Sequence, residues 1–384
     1  MKKVIMGNHA LSYGAKLSRV QVIAAYPITP QTQVVEALSE FVANGELNAK
    51  FIKVESEHSA MSACIAASGA GVRTFTATSA HGLALMHEML HWACGARLPI
   101  VMADINRAMG PPWTVWTEQT DSLAQRDTGW LQFYCESNQE VLDTVIQGYK
   151  IAERLLLPVM IVLDAFFLSH TCEPVDIPDI EIVDTYLPPY KPEYKLDIKN
   201  PHSFGAITMP DLYMELRYMI QKDMERASEV VLAADKEFEK IFGRSYGITE
   251  EYRCEDAEII LVTSATIAST SRIVIDELRN QGHKVGMLKI RMFRPFPEAE
   301  VRQKLKKAKK VAVIDRNISF GVGGIFCQEI KAALCNEKEK PLVFGFIAGL
   351  GGRDVTPEVI KDIYFITLKE KIPKQNIYWM GVKL

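Results

Sequence analysis

The chain of 384 residues has no C-x-x-C pair, although it holds seven cysteines: Cys64, Cys94, Cys135, Cys172, Cys254, Cys327 and Cys335. Iron–sulfur clusters and structural zinc need ligands at short spacings, so this odd, scattered set argues against a metal centre in this chain. It suits reduced thiols used as small core hydrophobes. Nor is any apolar run long enough to cross a bilayer, which takes roughly 20 residues. The longest, 155–168, is interrupted by Pro158 and Asp164. Met1-Lys2-Lys3 is followed by Val4-Ile5-Met6-Gly7-Asn8-His9, too short and too polar for a signal peptide, so a cytoplasmic protein is expected. A polybasic block is missing too. With 44 Lys and Arg mixed among 47 Asp and Glu, and a net charge of −3, the chain offers no footprint for nucleic acid or for a membrane surface.

What is present is an alternation of short apolar runs with segments of helical spacing. Strands are predicted at Val22–Ala25, 51–54, 73–78, 99–104, Leu131–Tyr134 and Val159–Asp164, with helices at 31–43, 59–70, 83–94 and 139–155 between them. That texture predicts a parallel sheet covered by helices on both faces. Seven prolines crowd 174–210, which reads as an extended arm, and a polar helical region follows at 212–242. A second α/β unit begins at 258–263 and continues through strands at Val285–Ile290, 311–315 and 343–348. The expected division is 1–173, 174–255 and 256–384. Gly321-Val322-Gly323-Gly324 looks superficially like a phosphate loop, but it lacks the full G-x-G-x-x-G register. A helix start packed tightly on a sheet is the better reading there.

Two segments carry chemistry. In Tyr26-Pro27-Ile28-Thr29-Pro30 the prolines fix two φ angles and remove two backbone donors, making a stiff elbow at a strand's carboxyl end, where open α/β sheets bind ligands. Thr29 would hold its hydroxyl there, either toward a ligand or as a cap for the helix that follows. After the next strand comes Val54-Glu55-Ser56-Glu57-His58, opening a helix of small residues. A carboxylate at such a junction either meets the helix dipole or activates a cofactor. Thiamine diphosphate needs a carboxyl against its aminopyrimidine nitrogen, and both Glu55 and Glu57 are within reach of that role. Spacing alone does not choose between them.

These segments, with Thr74-Phe75-Thr76-Ala77-Thr78-Ser79, Asn106-Arg107-Ala108, Asp121-Ser122, Gln125-Arg126-Asp127-Thr128-Gly129-Trp130 and Arg294-Pro295-Phe296-Pro297, occur in an order that resembles the alpha subunits of 2-oxoacid:ferredoxin oxidoreductases, most closely the pyruvate branch. The resemblance covers nearly the whole chain. It implies a thiamine-diphosphate pyrimidine-binding domain followed by a transketolase C-terminal-like α/β domain. It further implies that Glu57 contacts the aminopyrimidine, that Tyr26, Pro27 and Ile28 line the cofactor, and that Thr29 and Arg107 hold the substrate carboxylate. The implied reaction turns a 2-oxoacid and coenzyme A into acyl-CoA and carbon dioxide and reduces ferredoxin. The chain has no Gly-Asp-Gly run with a downstream Asn, the ligand set for Mg²⁺ and diphosphate in thiamine enzymes. That side of the cofactor is therefore expected from a beta subunit, and the iron–sulfur clusters from partner subunits, among which the resemblance implies gamma and ferredoxin-like delta subunits.

Other readings stand beside these. Arg107 would alternatively pair with Asp104 or Asp127, and Asp121, Arg126 and Asp127 would form a structural ion-pair network. His81 and His87 read as packed or solvent-linked histidines of the 83–94 helix region. Ala80-His81-Gly82 stands where many relatives have Ser-Gln before the glycine, and Trp113 and Trp116 flank the substrate loop, so the pocket is expected to differ. Threonine at position 29, where an oxalate-using branch has arginine, argues against oxalate. Pyruvate leads, ahead of branched or aromatic 2-oxoacids. A non-catalytic scaffold or a transketolase-like half-enzyme would use the same fold. The split-site expectation has a direct check: calorimetry and metal analysis of the isolated chain should find neither tight thiamine diphosphate binding nor iron, and tight binding of cofactor with Mg²⁺ by the lone chain would refute it.

Overall fold

In a computed structural model, which describes residues 1–383, the apolar runs pair into two parallel-rich sheets. The first has seven strands in the order Met292–Arg294, Leu131–Tyr134, Val159–Asp164, Val101–Asn106, Thr74–Thr78, Val22–Ala25 and Lys50–Lys53. All pair in parallel except Met292–Arg294, which runs antiparallel to Leu131–Tyr134. Its central strands are buried along their whole length, because helices cover both faces and leave no side for polar alternation. The helix Asn138–Leu155 starts on a Ser137 cap to Glu140 N–H and packs on Gly7–Leu17, where Gly14 lets the backbone approach Val145.

The second sheet has six strands in the order Tyr378–Trp379, Leu342–Ile347, Lys310–Asp315, Ile259–Thr263, Val285–Ile290 and Thr249–Tyr252, the last antiparallel. The units are not separate bodies. Trp130, Tyr134, Phe293 and Phe326 share one apolar cluster, with Phe293 and Phe326 ring centroids 4.7 Å apart. Across the same boundary the buried Glu140 accepts from Lys289 and Arg291, each at 2.8 Å.

Five strands escape the sequence reading, among them Cys172–Asp176 and the two-residue Tyr378–Trp379. Lys2–Met6 pairs antiparallel with Cys172–Asp176, so the expected arm begins as a strand with Pro174 opposite Val4. A two-stranded ribbon tolerates proline because a missing donor can face outward. Thr249–Tyr252 joins the second sheet, and Met292–Arg294 leaves the second unit to edge the first. Such short, polar strands exist only by long-range pairing. The 212–242 region is the helix Pro210–Phe242, with proline at its first position. Its second half buries Ala227, Val231, Ala234 and Phe238. Of the cysteines, Cys64, Cys94, Cys135 and Cys327 are buried as core residues, while Cys172 and Cys335 are exposed and Cys254 is half-buried.

The glycine run at 321–324 ends in a helix start, Ile325–Leu334, whose free N–H groups are already taken. Asp315 accepts from Phe326 N–H at 2.9 Å and Cys327 N–H at 3.1 Å, so a protein carboxylate stands where a phosphate would. Gly324 is required by contact: a Cβ there would collide with the Asp315 carboxylate. Gly324→Ala should therefore lower stability by about 1–3 kcal/mol, the usual cost of overpacking. A chemical-denaturation midpoint equal to wild type would show that the carboxylate can give way.

Candidate functional site

Four neighbouring strands of the first sheet, Lys50–Lys53, Val22–Ala25, Thr74–Thr78 and Val101–Asn106, end on the same side. Parallel pairing forces this, and it is why residues far apart in sequence meet. Their carboxyl ends lead to Glu57, to the Tyr26–Pro30 elbow, to Ala80-His81-Gly82 and to Arg107. The elbow is clamped from both sides. Gln31, fully buried, donates to Ala77 O at 2.5 Å, and Asn8 donates to Pro30 O at 2.8 Å. The Thr29–Pro30 peptide is cis. Thr29 is exposed and does not cap the following helix, Thr32–Ala43, which has no side-chain cap. Tyr26 and Pro27 are exposed beside it, with Ile28 half-buried.

Of the two glutamates, Glu55 is exposed and accepts the Ser59 hydroxyl. Glu57, the first residue of the helix Glu57–Gly69, is 6% exposed, and among the described residues its carboxylate has neither a hydrogen-bond donor nor an ion-pair partner. It lies against Gly82 and Thr78, and a Cβ on Gly82 would collide with Glu57 Oε1 and Thr78 Oγ1. The Thr78 hydroxyl is itself buried without a partner. Burying polar groups without donors is costly, so such groups are ordinarily matched by a ligand.

Arg107 is also 6% exposed. Its guanidinium donates to the Thr29 carbonyl and lies 5.2 Å from the centroid of the Trp113 ring. The expected ion pairs are absent: neither Asp104 nor Asp127 bridges to it, and Asp127 instead sits 4.0 Å from Arg126 at the surface. Burial lowers the Arg107 pKa, opposed by Asp121, Asp104 and Glu57, which places Glu57 within electrostatic range of the guanidinium. Arg107 Nε is buried and unpartnered. His81 engages the loop after Arg107, accepting from Gly110 N–H at 2.9 Å and meeting Trp113 edge-on at 6.0 Å between centroids. His87 pairs with Gln125 at 2.6 Å. The helical region around them divides at Met86 into Ala80–Leu85 and His87–Gly95.

Asp121 takes no part in the expected structural ion-pair network with Arg126 and Asp127. It is fully buried and accepts backbone N–H groups from Ala80, Arg107 and Ser122, at 3.0, 2.9 and 2.8 Å. Sequence reasoning missed this role, and it missed Gly82 and Gln31, because their partners come from distant strands.

Residues 13–236 match the family described as pyruvate flavodoxin/ferredoxin oxidoreductase, thiamine diphosphate-binding, and residues 257–360 match pyruvate:ferredoxin oxidoreductase core domain II. The chain belongs to this family. Its relatives include pyruvate synthase subunit PorA of Methanothermobacter thermautotrophicus, 53% identical over 99% of this chain and 98% of that one. Ketoisovalerate oxidoreductase subunit VorA of Pyrococcus horikoshii is also 53% identical, over 100% of this chain and 98% of that one. Among solved structures, the 2-oxoglutarate:ferredoxin oxidoreductase of Magnetococcus marinus shares the fold with a TM-score of 0.73 at 20% identity, covering 96% of this chain and 65% of that one. An inactive split-gene transketolase tetramer superimposes with a TM-score of 0.55 at 12% identity, covering 95% of this chain and 99% of that one. Both solved structures share the fold of this chain.

The close contact at Gly82 generates a prediction. Gly82→Ala should displace the Glu57 carboxylate and reduce turnover of the assembled complex by at least about tenfold, roughly 1.4 kcal/mol, while the fold persists. Full activity with normal assembly would mean that Glu57 need not occupy this position.

Proposed function

We propose that this chain is the alpha subunit of a thiamine-diphosphate-dependent 2-oxoacid:ferredoxin oxidoreductase, with pyruvate as the leading substrate. The observation that carries the reading is Glu57: a buried carboxylate without a protein donor, set in a chain of this family among strand ends that also present Arg107 and Thr29. The residues fit the cofactor. Glu57 would hold a proton at the aminopyrimidine ring nitrogen, and Tyr26, Pro27 and Ile28 would line that ring. When bound, thiamine diphosphate supplies the carbanion for decarboxylating the 2-oxoacid. Arg107 and Thr29 would orient the substrate carboxylate, the guanidinium through its planar fork.

The same reading assigns the diphosphate and Mg²⁺ side to a beta subunit and the iron–sulfur clusters to partner subunits, with gamma and delta subunits in the complex, coenzyme A as co-substrate, ferredoxin as acceptor and a cytoplasmic location. Among the described residues no helix is long and apolar enough to cross a membrane. Exposed Leu212, Tyr213, Met214, Tyr218 and Met219 on the helix Pro210–Phe242 support a chain that is covered by other subunits. Residues 1–173, 174–255 and 256–384 are proposed as a pyrimidine-binding unit, a connecting arm and a transketolase C-terminal-like unit. A second substrate reading has its own support: a ketoisovalerate oxidoreductase subunit is as similar as a pyruvate synthase subunit, at 53% identity.

Two variants in the purified complex test the assignment. Glu57→Gln should abolish exchange of the thiazolium C2 proton without disturbing assembly, whereas Glu55→Gln should exchange normally; the reverse pattern would move the role two residues back. Arg107→Lys keeps the charge but loses the fork, so kcat/KM per occupied site should fall by one to two powers of ten, about 1.5–3 kcal/mol. An unchanged value would end the anchoring role, and a higher wild-type kcat/KM for 2-oxoisovalerate than for pyruvate would replace the leading substrate.

A further inference from the structure

Behind the loop that carries Arg107, two carboxyl groups face each other. Asp104, on the strand Val101–Asn106, and Asp121, in the short helix Thr120–Leu123, are both fully buried, and the charge of Asp121 bears on Asp104. Asp121 has its three backbone donors. Asp104 has none: neither of its oxygens meets a donor among the described residues. Two ionised carboxylates in this position would repel, and a buried charge without donors would be costly besides. A single proton held between them removes both penalties, because a protonated Asp104 donates to Asp121.

The surrounding charges agree. Burial, then the charge of Asp121, pushes Asp104 well above the ordinary carboxylate range, opposed by Arg107. Burial also raises Asp121, with Glu118 adding to it and the backbone donors opposing. Tyr134, whose hydroxyl lies 3.0 Å from Ser122 Oγ, stays a neutral phenol, and Arg294 acts on it from farther out. The charge of Glu57 also acts on Arg107.

Asp121 ties together two of the four strand-end connections. One is Arg107. The other is Ala80, a non-glycine residue at φ +43°, a conformation that needs support from its surroundings and that starts the turn to Gly82 beneath Glu57. We propose that Asp104 and Asp121 share one proton and act as positioning residues, fixing the main chain of Arg107 and Ala80 so that guanidinium and Glu57 stand in register for a 2-oxoacid. The proposal rests on the 2-oxoacid reading for its consequence, though not for the proton itself. Loss of the shared proton puts two charges behind Arg107 and draws the guanidinium back, so substrate binding suffers before turnover does.

Infrared spectroscopy of the substrate-free complex tests the proton directly. The wild type should show the carbonyl band of a buried carboxylic acid, and Asp104→Asn should lack it. The pH profile tests the consequence. Wild-type KM for pyruvate should rise at alkaline pH, by about tenfold for each pH unit beyond loss of the proton, with kcat changing less. Asp104→Asn, whose amide always donates, should keep a low KM and lose that alkaline rise. Asp104→Leu, with no donor, should have a raised KM at every pH. A merely structural role would lower stability in both variants and leave the shape of the profile alone. Absence of the acid band, or an alkaline rise retained in Asp104→Asn, overturns the proposal. A complex that turns over no 2-oxoacid would instead sink the functional reading, while the band still decides whether the proton is shared.

Discussion

Asp164 ends the strand Val159–Asp164 and is fully buried, yet its carboxylate is surrounded by donors from both α/β units. It accepts from Arg316 Nη1 at 2.8 Å and from Thr266 N–H at 3.1 Å, and the Thr266 hydroxyl donates to it as well. From the first unit, the Thr117 hydroxyl reaches it at 3.2 Å. Removing one partner of a buried ion pair generally costs about 3–5 kcal/mol, since the other charge is stranded, so this junction tolerates little change. Thr117 closes the loop that begins at Arg107: Ala108 N–H donates to Trp116 O at 3.1 Å, and Gly352 N–H donates to Thr117 O at 2.9 Å. The second unit thus holds the Arg107–Thr117 loop of the first. Gly352, at φ +80°, is needed there because a Cβ would collide with Trp116.

A second charged junction fixes the strand Met292–Arg294 to the first sheet. Glu136 and Glu140 meet Lys289 at 2.8 Å each, and Glu136 also pairs with Arg272. Burial alone would raise the Glu136 pKa, but Lys289 and Arg272 outweigh it and bring it to about 2. Burial would likewise discharge Lys289, and the two glutamates outweigh that. The cluster is therefore fully ionised and satisfied, which is the condition under which buried charge specifies an arrangement instead of loosening it. Next to it, Tyr134 N–H donates to Arg291 O at 2.8 Å, starting the antiparallel pairing.

Strand and helix identity was legible wherever an apolar run was long enough to be buried on both faces. Val22–Ala25, Leu131–Tyr134, Val159–Asp164 and Val285–Ile290 fall where the pattern places them, and the other buried strands shift by only a residue or two at an end. Lys2–Met6, Thr249–Tyr252 and Met292–Arg294 were not legible. Each is short and partly polar, and each owes its conformation to a partner strand far away in sequence. The glycine run was readable only as ambiguous, because what decides it is Asp315, a residue on the preceding strand that takes the helix N–H groups for itself.

By itself, the sequence determined the parallel α/β class, the stiffness of the Tyr26–Pro30 elbow, the family order of motifs and the absence of local metal-ligand spacings. These depend on residue type and near-neighbour spacing, which the chain carries in one dimension. Spacing did not separate Glu57 from Glu55, and only the tertiary structure shows that they differ in burial. Only it turned Arg107 from Asp104 and Asp127 toward Thr29 and Trp113, and only it showed Asp121 and Gly82 as neighbours of the site. Those outcomes depend on which strand ends lie side by side, a property of sheet order and not of any single segment.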